Sequence, residues 1–214
     1  NLAWKLASVL RGQAAPVLLN SYNQERLQAA QRNVQVTNRT ARFLRAPDGM
    51  ERVFRAASIG LAKEHAFAKS LINTGRMAEA NRYDMSDVCD ADGGFMVQNA
   101  VIHYNAEQSG SLCDLLQWAN GRLLLLVFGE LSRKDMAKLQ SLSALAAVNV
   151  VQVVHKKRAQ ATEHVIDPHK TLRRACHAEK AQWALLRPDA YLAAKGKSLN
   201  GQLVKALATA LGLH

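Results

Sequence analysis

The strongest constraint on the fold is a run of six apolar residues, Leu123–Phe128, bounded by Asn120-Gly121 and Gly129. A short apolar run between turn residues is typical of a β-strand that is buried on both faces. Residues 132–147 follow with a helical pattern, and the Val-rich residues 148–154 then predict a second buried strand. Because a strand, a helix and a strand in succession favour parallel pairing, the sequence predicts an α/β fold.

The remainder of the C-terminal half extends this pattern to the order β-α-β-α-β-β-α. Residues 167–176 predict a weaker helix, 183–186 and 191–194 predict two strands, and 198–211 predict a closing helix. The turn at Pro188-Asp189 is short enough to make the last two strands an antiparallel hairpin. A thioredoxin-like fold requires this order and this hairpin, so we predict a thioredoxin-like domain over residues 95–214.

The N-terminal part is predicted to be a helical segment that ends at residue 76. Its apolar spacing begins at Asn1 without a preceding helix-start signal, so we expect the chain to be the tail of a longer protein. Residues 77–94 are acidic and aperiodic, which predicts a linker. The predicted elements are a helix over 1–11, a short turn from Pro16, a helix over 22–44, a turn at Pro47-Asp48-Gly49, and helices over 50–59 and 61–72 separated by Gly60.

The net charge of +11 is distributed unevenly along the chain. Residues 1–76 have a net charge of +8, residues 77–118 of −6 and residues 119–214 of +9. A basic chain can attract nucleic acid or an anionic surface at long range. The basic residues follow helical spacing with few aromatic neighbours, however, which is typical of solvated helix faces. Lys156-Lys157-Arg158 is the one tight cluster and is best interpreted as a surface loop, so nucleic acid is an unfavoured partner.

The cysteines and histidines predict neither a disulfide framework nor a metal site. Cys89, Cys113 and Cys176 are widely spaced without a C-x-x-C pair, which suits a reducing cytoplasm. At the position of an active thioredoxin's thiols the chain has Gly129-Glu130-Leu131-Ser132, so disulfide exchange is not expected. The histidines considered as metal ligands have irregular spacing, and they are His164, His169 and His177, with Asp167 between the first two. The longest apolar run is also far shorter than the ~20 residues of a membrane-spanning helix.

Several short motifs resemble the C-terminal part of flavin-dependent aromatic hydroxylases of the phenol hydroxylase and 3-(3-hydroxyphenyl)propionate hydroxylase type. Two groups lie in the helical part. The first consists of Asn1-Leu2-Ala3-Trp4-Lys5-Leu6-Ala7 and Leu19-Asn20-Ser21-Tyr22-Asn23-Gln24-Glu25-Arg26. The second consists of His65-Ala66-Phe67-Ala68 and Ile72-Asn73-Thr74-Gly75-Arg76. Two more are similar to the family's thioredoxin-like domain, and they are Ser111-Leu112-Cys113-Asp114-Leu115-Leu116 and Leu186-Arg187-Pro188-Asp189-Ala190-Tyr191. The resemblance covers nearly the whole chain. Met77-Ala78 departs from the family pattern after Arg76 and leaves the substrate branch open.

The resemblance implies a parent enzyme that uses FAD, NAD(P)H and oxygen to hydroxylate a phenolic compound. No G-x-G-x-x-G nucleotide-binding turn occurs in the chain, and in the family the flavin-binding segments precede this region. We therefore expect these residues to contribute no catalytic, cofactor-binding or metal-binding group. The motif residues with an expected structural role are Asn1, Trp4, Tyr22, Glu25, Arg26, Asn73, Gly75, Arg76, Arg187, Pro188 and Asp189.

Three hypotheses on function follow from these observations. The first is a C-terminal fragment of a flavin-dependent monooxygenase, which supports the missing N-terminal FAD domain and forms a homodimer without being catalytic alone. The second is a stand-alone, redox-inactive thioredoxin-like binding module. The third is a basic nucleic-acid-associated protein. The first two differ in whether the apolar helix faces of residues 1–76 have a partner outside this chain.

Overall fold

A computed structural model describes residues 1–45, 48–72, 79–105, 107–143, 145–155 and 164–213. The chain divides into two compact units. The first unit combines Asn1–Glu25 with Arg82–His214, and the second consists of Arg26–Asn81. The sequence pattern divides the chain at residues 76 and 94, which differs from the division into these two units. Those predicted boundaries stay a prediction.

The first unit is built on a mixed β-sheet, which contains seven strands within the described residues. The spatial order is β2-β1-β5-β4-β3-β6-β7. β3 pairs in parallel with β4, and β4 with β5, whereas β6 is antiparallel to both β3 and β7. The strands are β1 Val101–His103, β2 Ser109–Ser111, β3 Leu123–Phe128, β4 Val148–Val154, β5 His164–Ile166, β6 Trp183–Leu186 and β7 Leu192–Gly196.

Strand β3 is the centre of the hydrophobic core, because all six of its residues are buried. Successive side chains of a strand point to opposite faces, so its odd-numbered residues join one core cluster and its even-numbered residues another. The first cluster includes Trp4 and Leu18 from the start of the chain. The N-terminal helix therefore packs on one face of this sheet.

Helices cover both faces of the sheet, as expected for buried strands. α8 contributes Leu203 and Leu207 to the cluster that holds Trp4, whereas α5 and α7 contribute Leu112 and Leu172 to the other. The helices of the first unit are α1 Leu2–Leu10, the 3₁₀ turn Pro16–Leu19, α5 Leu112–Trp118, α6 Arg133–Ser143, α7 Thr171–Ala175 and α8 Gly201–Ala210.

The second unit is helical. It contains most of α2 (Asn20–Leu44), together with α3 (Met50–Glu64) and α4 (Ala66–Ile72). The prediction that Gly60 separates two helices is wrong, because α3 continues through it to Glu64 and the break falls at His65, whose backbone is extended. A glycine inside a helix costs only about 1 kcal/mol relative to alanine, which good helix formers on both sides can offset.

The predicted α/β class is confirmed, and strands β3, β4 and β6 have the predicted bounds. The structure adds β1, β2, β5 and α5, none of which has a long or strongly periodic pattern. Residues 82–94 differ from the expected linker of extended chain, since they form turns in which Tyr83 and Val88 are buried. No helix among the described residues is long and apolar enough to cross a membrane.

Candidate functional site

The most unusual feature of the first unit is a buried cluster of charges around Glu25, in the second turn of α2. The Glu25 side chain is fully buried and accepts five hydrogen bonds. Oε1 accepts from Ser86 Oγ at 2.7 Å and from Arg187 Nη1. Oε2 accepts from Asn1 Nδ2 at 2.6 Å, Lys5 Nζ at 2.8 Å and Arg187 Nη2 at 3.0 Å.

Arg187 connects Glu25 to a second carboxylate. Its Nε donates to Asp189 Oδ1 at 3.0 Å, and its Nη2 donates to Asp189 Oδ2 at 2.7 Å. Such two-point contact between guanidinium and carboxylate is geometrically specific and charge-assisted. Asn1 Nδ2 also donates to Asp189 Oδ2 at 3.0 Å, so it joins the two carboxylates.

Three aromatic rings surround the Arg187 guanidinium. Its central carbon lies 5.3 Å from the ring centroid of Trp4, 5.7 Å from that of Tyr83 and 5.4 Å from that of Tyr191. The two tyrosine rings also stack on each other, with centroids 4.5 Å apart. Cation–π attraction to aromatic faces is stronger when the cation is desolvated, as it is here.

The hairpin between β6 and β7 explains how Arg187 and Asp189 come to lie together. Arg187 N donates to Tyr191 O, and Ala190 N donates to Arg187 O, which closes a tight turn. Pro188 has a fixed φ that suits such a turn, and Ala190 takes a left-handed backbone conformation with φ of 65°. The turn therefore presents the two side chains to α1 and to the start of α2.

The cluster is electrically balanced, with Lys5 and Arg187 opposite Glu25 and Asp189. Burial alone would raise the pKa of Glu25, but the hydrogen bonds and charges of Arg187 and Lys5 outweigh it and lower that pKa from 4.5 to about 2. Burial lowers the pKa of Lys5, and its hydrogen bond to Glu25 offsets this only in part. The two carboxylates raise the pKa of Arg187 despite its burial.

The hydrogen bonds of this cluster connect separate parts of the fold. A carboxylate that stays ionised at neutral pH and already accepts five hydrogen bonds has neither a proton to give nor room to take one from a substrate. Cys89, whose Sγ lies 3.6 Å from Arg187 Nη1, is also unsuited to nucleophilic chemistry because burial raises the pKa of its thiol. The cluster instead ties α1 and the start of α2 to the β6–β7 hairpin.

The structure brings five of the sequence-predicted residues into this cluster, namely Asn1, Trp4, Glu25, Arg187 and Asp189. Pro188 lies in the adjoining turn. Tyr22 is half-buried and Arg26 is exposed, and neither contributes a bond to Glu25. Asn73, Gly75 and Arg76 lie outside the described residues, as do Lys156-Lys157-Arg158.

Sequence reasoning missed Lys5, Ser86, Tyr83 and Tyr191. Lys5 did have a signal, because it is the only charged residue in the apolar helix Leu2–Leu10. A lone charge on an otherwise apolar helix usually needs a buried partner. Tyr191 ends one of the motifs that resemble the family, whereas Ser86 and Tyr83 have no comparable pattern.

The histidines considered as metal ligands have other surroundings. Among the described residues, no three His, Cys, Asp or Glu side chains are grouped so that they could hold a metal ion. Asp167 instead accepts hydrogen bonds from Thr171 N at 2.7 Å and Arg173 N at 3.0 Å, which satisfies the first backbone N–H groups of α7. Ser132 Oγ accepts a hydrogen bond from Asp135 N and so caps α6.

Comparison with known proteins links the chain to flavoproteins. Residues 1–37 match the FAD binding domain family. The 6-methylpretetramide 4-monooxygenase of Streptomyces rimosus is 28% identical over 210 residues, which cover 92% of this chain and 37% of that protein.

Several solved structures share the fold of this chain. The OxyS anhydrotetracycline hydroxylase from Streptomyces rimosus matches 99% of this chain and 39% of its own, with a TM-score of 0.66 and 24% identity. The rebeccamycin biosynthetic enzyme RebC with reduced flavin matches with a TM-score of 0.63, 22% identity and coverage of 100% and 40%. Aklavinone-11 hydroxylase in complex with FAD and aklavinone has a TM-score of 0.59, 20% identity and coverage of 99% and 38%.

The chain is therefore an α/β protein with the fold of the matching region of these hydroxylases, and it spans about two fifths of their length. The match of residues 1–37 to the FAD binding domain family and the similarity to a monooxygenase confirm the predicted resemblance to FAD-dependent aromatic hydroxylases.

The charged cluster itself does not fit a flavin cofactor. A dinucleotide pyrophosphate binds to open backbone N–H groups at a glycine-rich turn or to cations with free donor positions. Lys5 and Arg187 are fully buried and already paired with carboxylates. These two cations are therefore not available to a pyrophosphate group.

Proposed function

We propose that this chain is the C-terminal part of a FAD-dependent monooxygenase that hydroxylates a phenolic aromatic compound with NAD(P)H and oxygen, and that it has a supporting, non-catalytic role there. The observation that carries the proposal is the buried cluster. It joins the residues that match the FAD binding domain family, through Asn1, Lys5 and Glu25, to the β6–β7 hairpin of the α/β sheet.

An apolar face on α1 supports a covering partner outside this chain. Leu2, Leu6 and Leu10 lie four residues apart on one side of the helix and are 41%, 42% and 78% exposed. The rest of a FAD domain would cover such a face, and FAD would be held there and not by this chain. When bound, the flavin would supply the oxygen activation and transfer.

We also propose that the C-terminal part of the first unit is a redox-inactive thioredoxin-like domain. The spatial order β4-β3-β6-β7, with β3 and β4 parallel and β6 antiparallel to both its neighbours, supports this assignment. So do the helices α6, α7 and α8, which occupy the expected places in the chain. The capping serine at position 132, where a reactive thiol would be needed, supports the absence of disulfide exchange.

A homodimer of the parent is the favoured assembly. The second unit leaves large apolar side chains exposed, among them Val53 at 60%, Phe54 at 59% and Phe67 at 67%. Exposed apolar surface of this kind marks interaction sites in soluble proteins. The three free cysteines support a reducing, cytoplasmic location.

The test is to isolate the native protein from its source with an antibody to this chain, and to measure its mass, visible absorption and sedimentation. We expect a yellow protein of well over twice 23.5 kDa per subunit that sediments as a dimer. We also expect phenolic ligands to stimulate its oxidation of NADH or NADPH. A colourless protein of about 23.5 kDa would refute the enzyme assignment and favour the stand-alone binding module.

A further inference from the structure

A cleft on the first unit has the chemistry of an anion site and is separate from the charged cluster. It lies between residues 95–100 and the end of α7, and its volume is about 580 Å³. This volume is within the range of small-molecule sites, which is about 300–1,000 Å³. Its polar lining includes Arg82, Asn99, Thr171, Arg174 and His177, and Phe95 is part of its apolar wall.

The lining is cationic. Among the described residues that line the cleft are two arginines and a histidine, and no Asp or Glu. Arg82 is paired with Asp84 at 2.7 Å on the surface beside it, so Arg174 is the principal positive charge of the wall. A cleft with one sign of charge concentrates ligands of the opposite sign.

The Arg174 guanidinium is held in place by its own turn. Its Nη2 donates to His169 O at 2.6 Å, and its Nε donates to Lys170 O at 3.3 Å. These contacts reduce the rotamer entropy that the side chain would lose when an anion binds. The guanidinium has further N–H groups for a carboxylate.

His177 occupies a strained backbone position at the edge of the cleft. Its φ is 49°, in the left-handed region that favours glycine, and it follows α7. His177 N donates to Arg174 O at 2.8 Å and Ala178 N donates to Arg173 O at 3.0 Å, so the helix end is closed by a turn for which glycine is the usual residue. The imidazole stacks on Phe95, with ring centroids 4.5 Å apart. A glycine would adopt this conformation without strain, so the imidazole can be removed here without disturbing the turn.

We propose that this cleft binds an aromatic carboxylate, with the carboxylate on the Arg174 guanidinium and the ring against the stacked Phe95–His177 pair. A guanidinium is the preferred partner for a planar carboxylate. Phe95 is half-buried and Met96 is 46% exposed, so they offer apolar surface to a flat ring. The inference does not depend on the proposed flavoprotein function.

The probe is 2-naphthoate, with the isosteric but neutral 2-naphthamide as its control. Both are titrated into the ¹⁵N-labelled full chain and followed by the amide chemical shifts of residues 95–100 and 171–178. We expect saturable shifts there with naphthoate, and at least about tenfold weaker binding of the amide, since a hydrogen bond to a charged group is worth about 1.5–3 kcal/mol. Equal binding of the two probes would overturn the proposal, and so would shifts that avoid the cleft.

Three variants complete the test. Arg174→Gln should weaken naphthoate binding at least about tenfold. Arg133→Gln, which removes an exposed charge of the same sign outside the cleft, should leave binding within about twofold because distant surface charges are screened by salt. His177→Gly keeps the turn but removes the ring, so it should fold normally and bind naphthoate more weakly. Unchanged binding by Arg174→Gln and His177→Gly, or an equal loss in Arg133→Gln, would refute the site.

Discussion

Replacing Glu25 with glutamine should be among the most destabilising conservative changes in the first unit. The substitution preserves the size of the side chain and removes only its charge. Five donors point at the carboxylate oxygens, whereas a glutamine offers one acceptor oxygen and an amide group that is itself a donor. Lys5 and Arg187 would then share the single carboxylate of Asp189 in a buried site.

Two independent routes give a similar magnitude. Removing one partner of a buried ion pair costs about 3–5 kcal/mol, because the other charge is left without compensation. A folded-state pKa near 2, compared with 4.5 in the unfolded chain, corresponds to about 3 kcal/mol of stability at neutral pH. We therefore expect Glu25→Gln to lower the free energy of unfolding by about 3 kcal/mol.

The pH dependence has a definite sign. Because folding lowers the pKa of Glu25, its contribution is complete above pH 4.5 and is lost as the pH falls towards 2. The difference in stability between the parent and Glu25→Gln should therefore shrink on acidification from pH 6 to pH 3. A difference that is constant over this interval would contradict the depressed pKa.

Urea unfolding followed by tryptophan fluorescence is the suitable assay, because Trp4, Trp118 and Trp183 all belong to the first unit. The charge-balanced double variant Lys5→Met/Glu25→Gln leaves Arg187 paired with Asp189. It should be less destabilised than the sum of the single variants, with a coupling of at least about 1 kcal/mol.

Asp84→Asn provides the matched control in the same unit. It removes a carboxylate from the exposed Arg82–Asp84 pair, whose side chains are 51% and 43% exposed. Exposed pairs contribute little, so we expect a loss below about 0.5 kcal/mol. A Glu25→Gln variant within about 1 kcal/mol of the parent, or single variants whose effects simply add, would refute the reasoning about the cluster.

Further predictions concern glycines and thiols. Gly196→Ala should destabilise the first unit by about 1–3 kcal/mol in the same urea assay, because the new methyl carbon would lie 2.5 Å from an indole carbon; an unchanged midpoint would show that the ring moves away freely. Gly60→Ala has open space in the middle of α3 and should stabilise that helix by roughly 0.5–1 kcal/mol, seen as a higher midpoint of thermal unfolding by circular dichroism at 222 nm. Cys113 is exposed, whereas burial raises the pKa of the Cys89 thiol and raises that of the Cys176 thiol to about 12. Because the thiolate is the reactive form, Ellman's reagent should titrate one thiol per folded chain and all three after unfolding. Prompt reaction of a second thiol in the folded chain would contradict the protection of Cys89 and Cys176.

Local pattern was sufficient for much of the α/β unit. The bounds of β3, β4 and β6 could be predicted because each is a short apolar run between turn residues. Short elements such as β1, β2 and β5 could not, since three residues contain no recognisable period and their pairing depends on the neighbouring strand. The end of α3 was also misplaced, because the preference of one glycine is smaller than the combined preference of the helix formers around it.

What the sequence by itself determined is the α/β class, the central strands, the Arg187-Pro188-Asp189 turn and the resemblance to flavin-dependent hydroxylases. Only the tertiary structure decided which charges meet. Glu25 and Arg187 are 162 residues apart, and nothing near either of them in the chain indicates the other. Their pairing depends on where α1, α2 and the β6–β7 hairpin are packed, because a buried charge is tolerated only beside a partner that the whole fold brings to it.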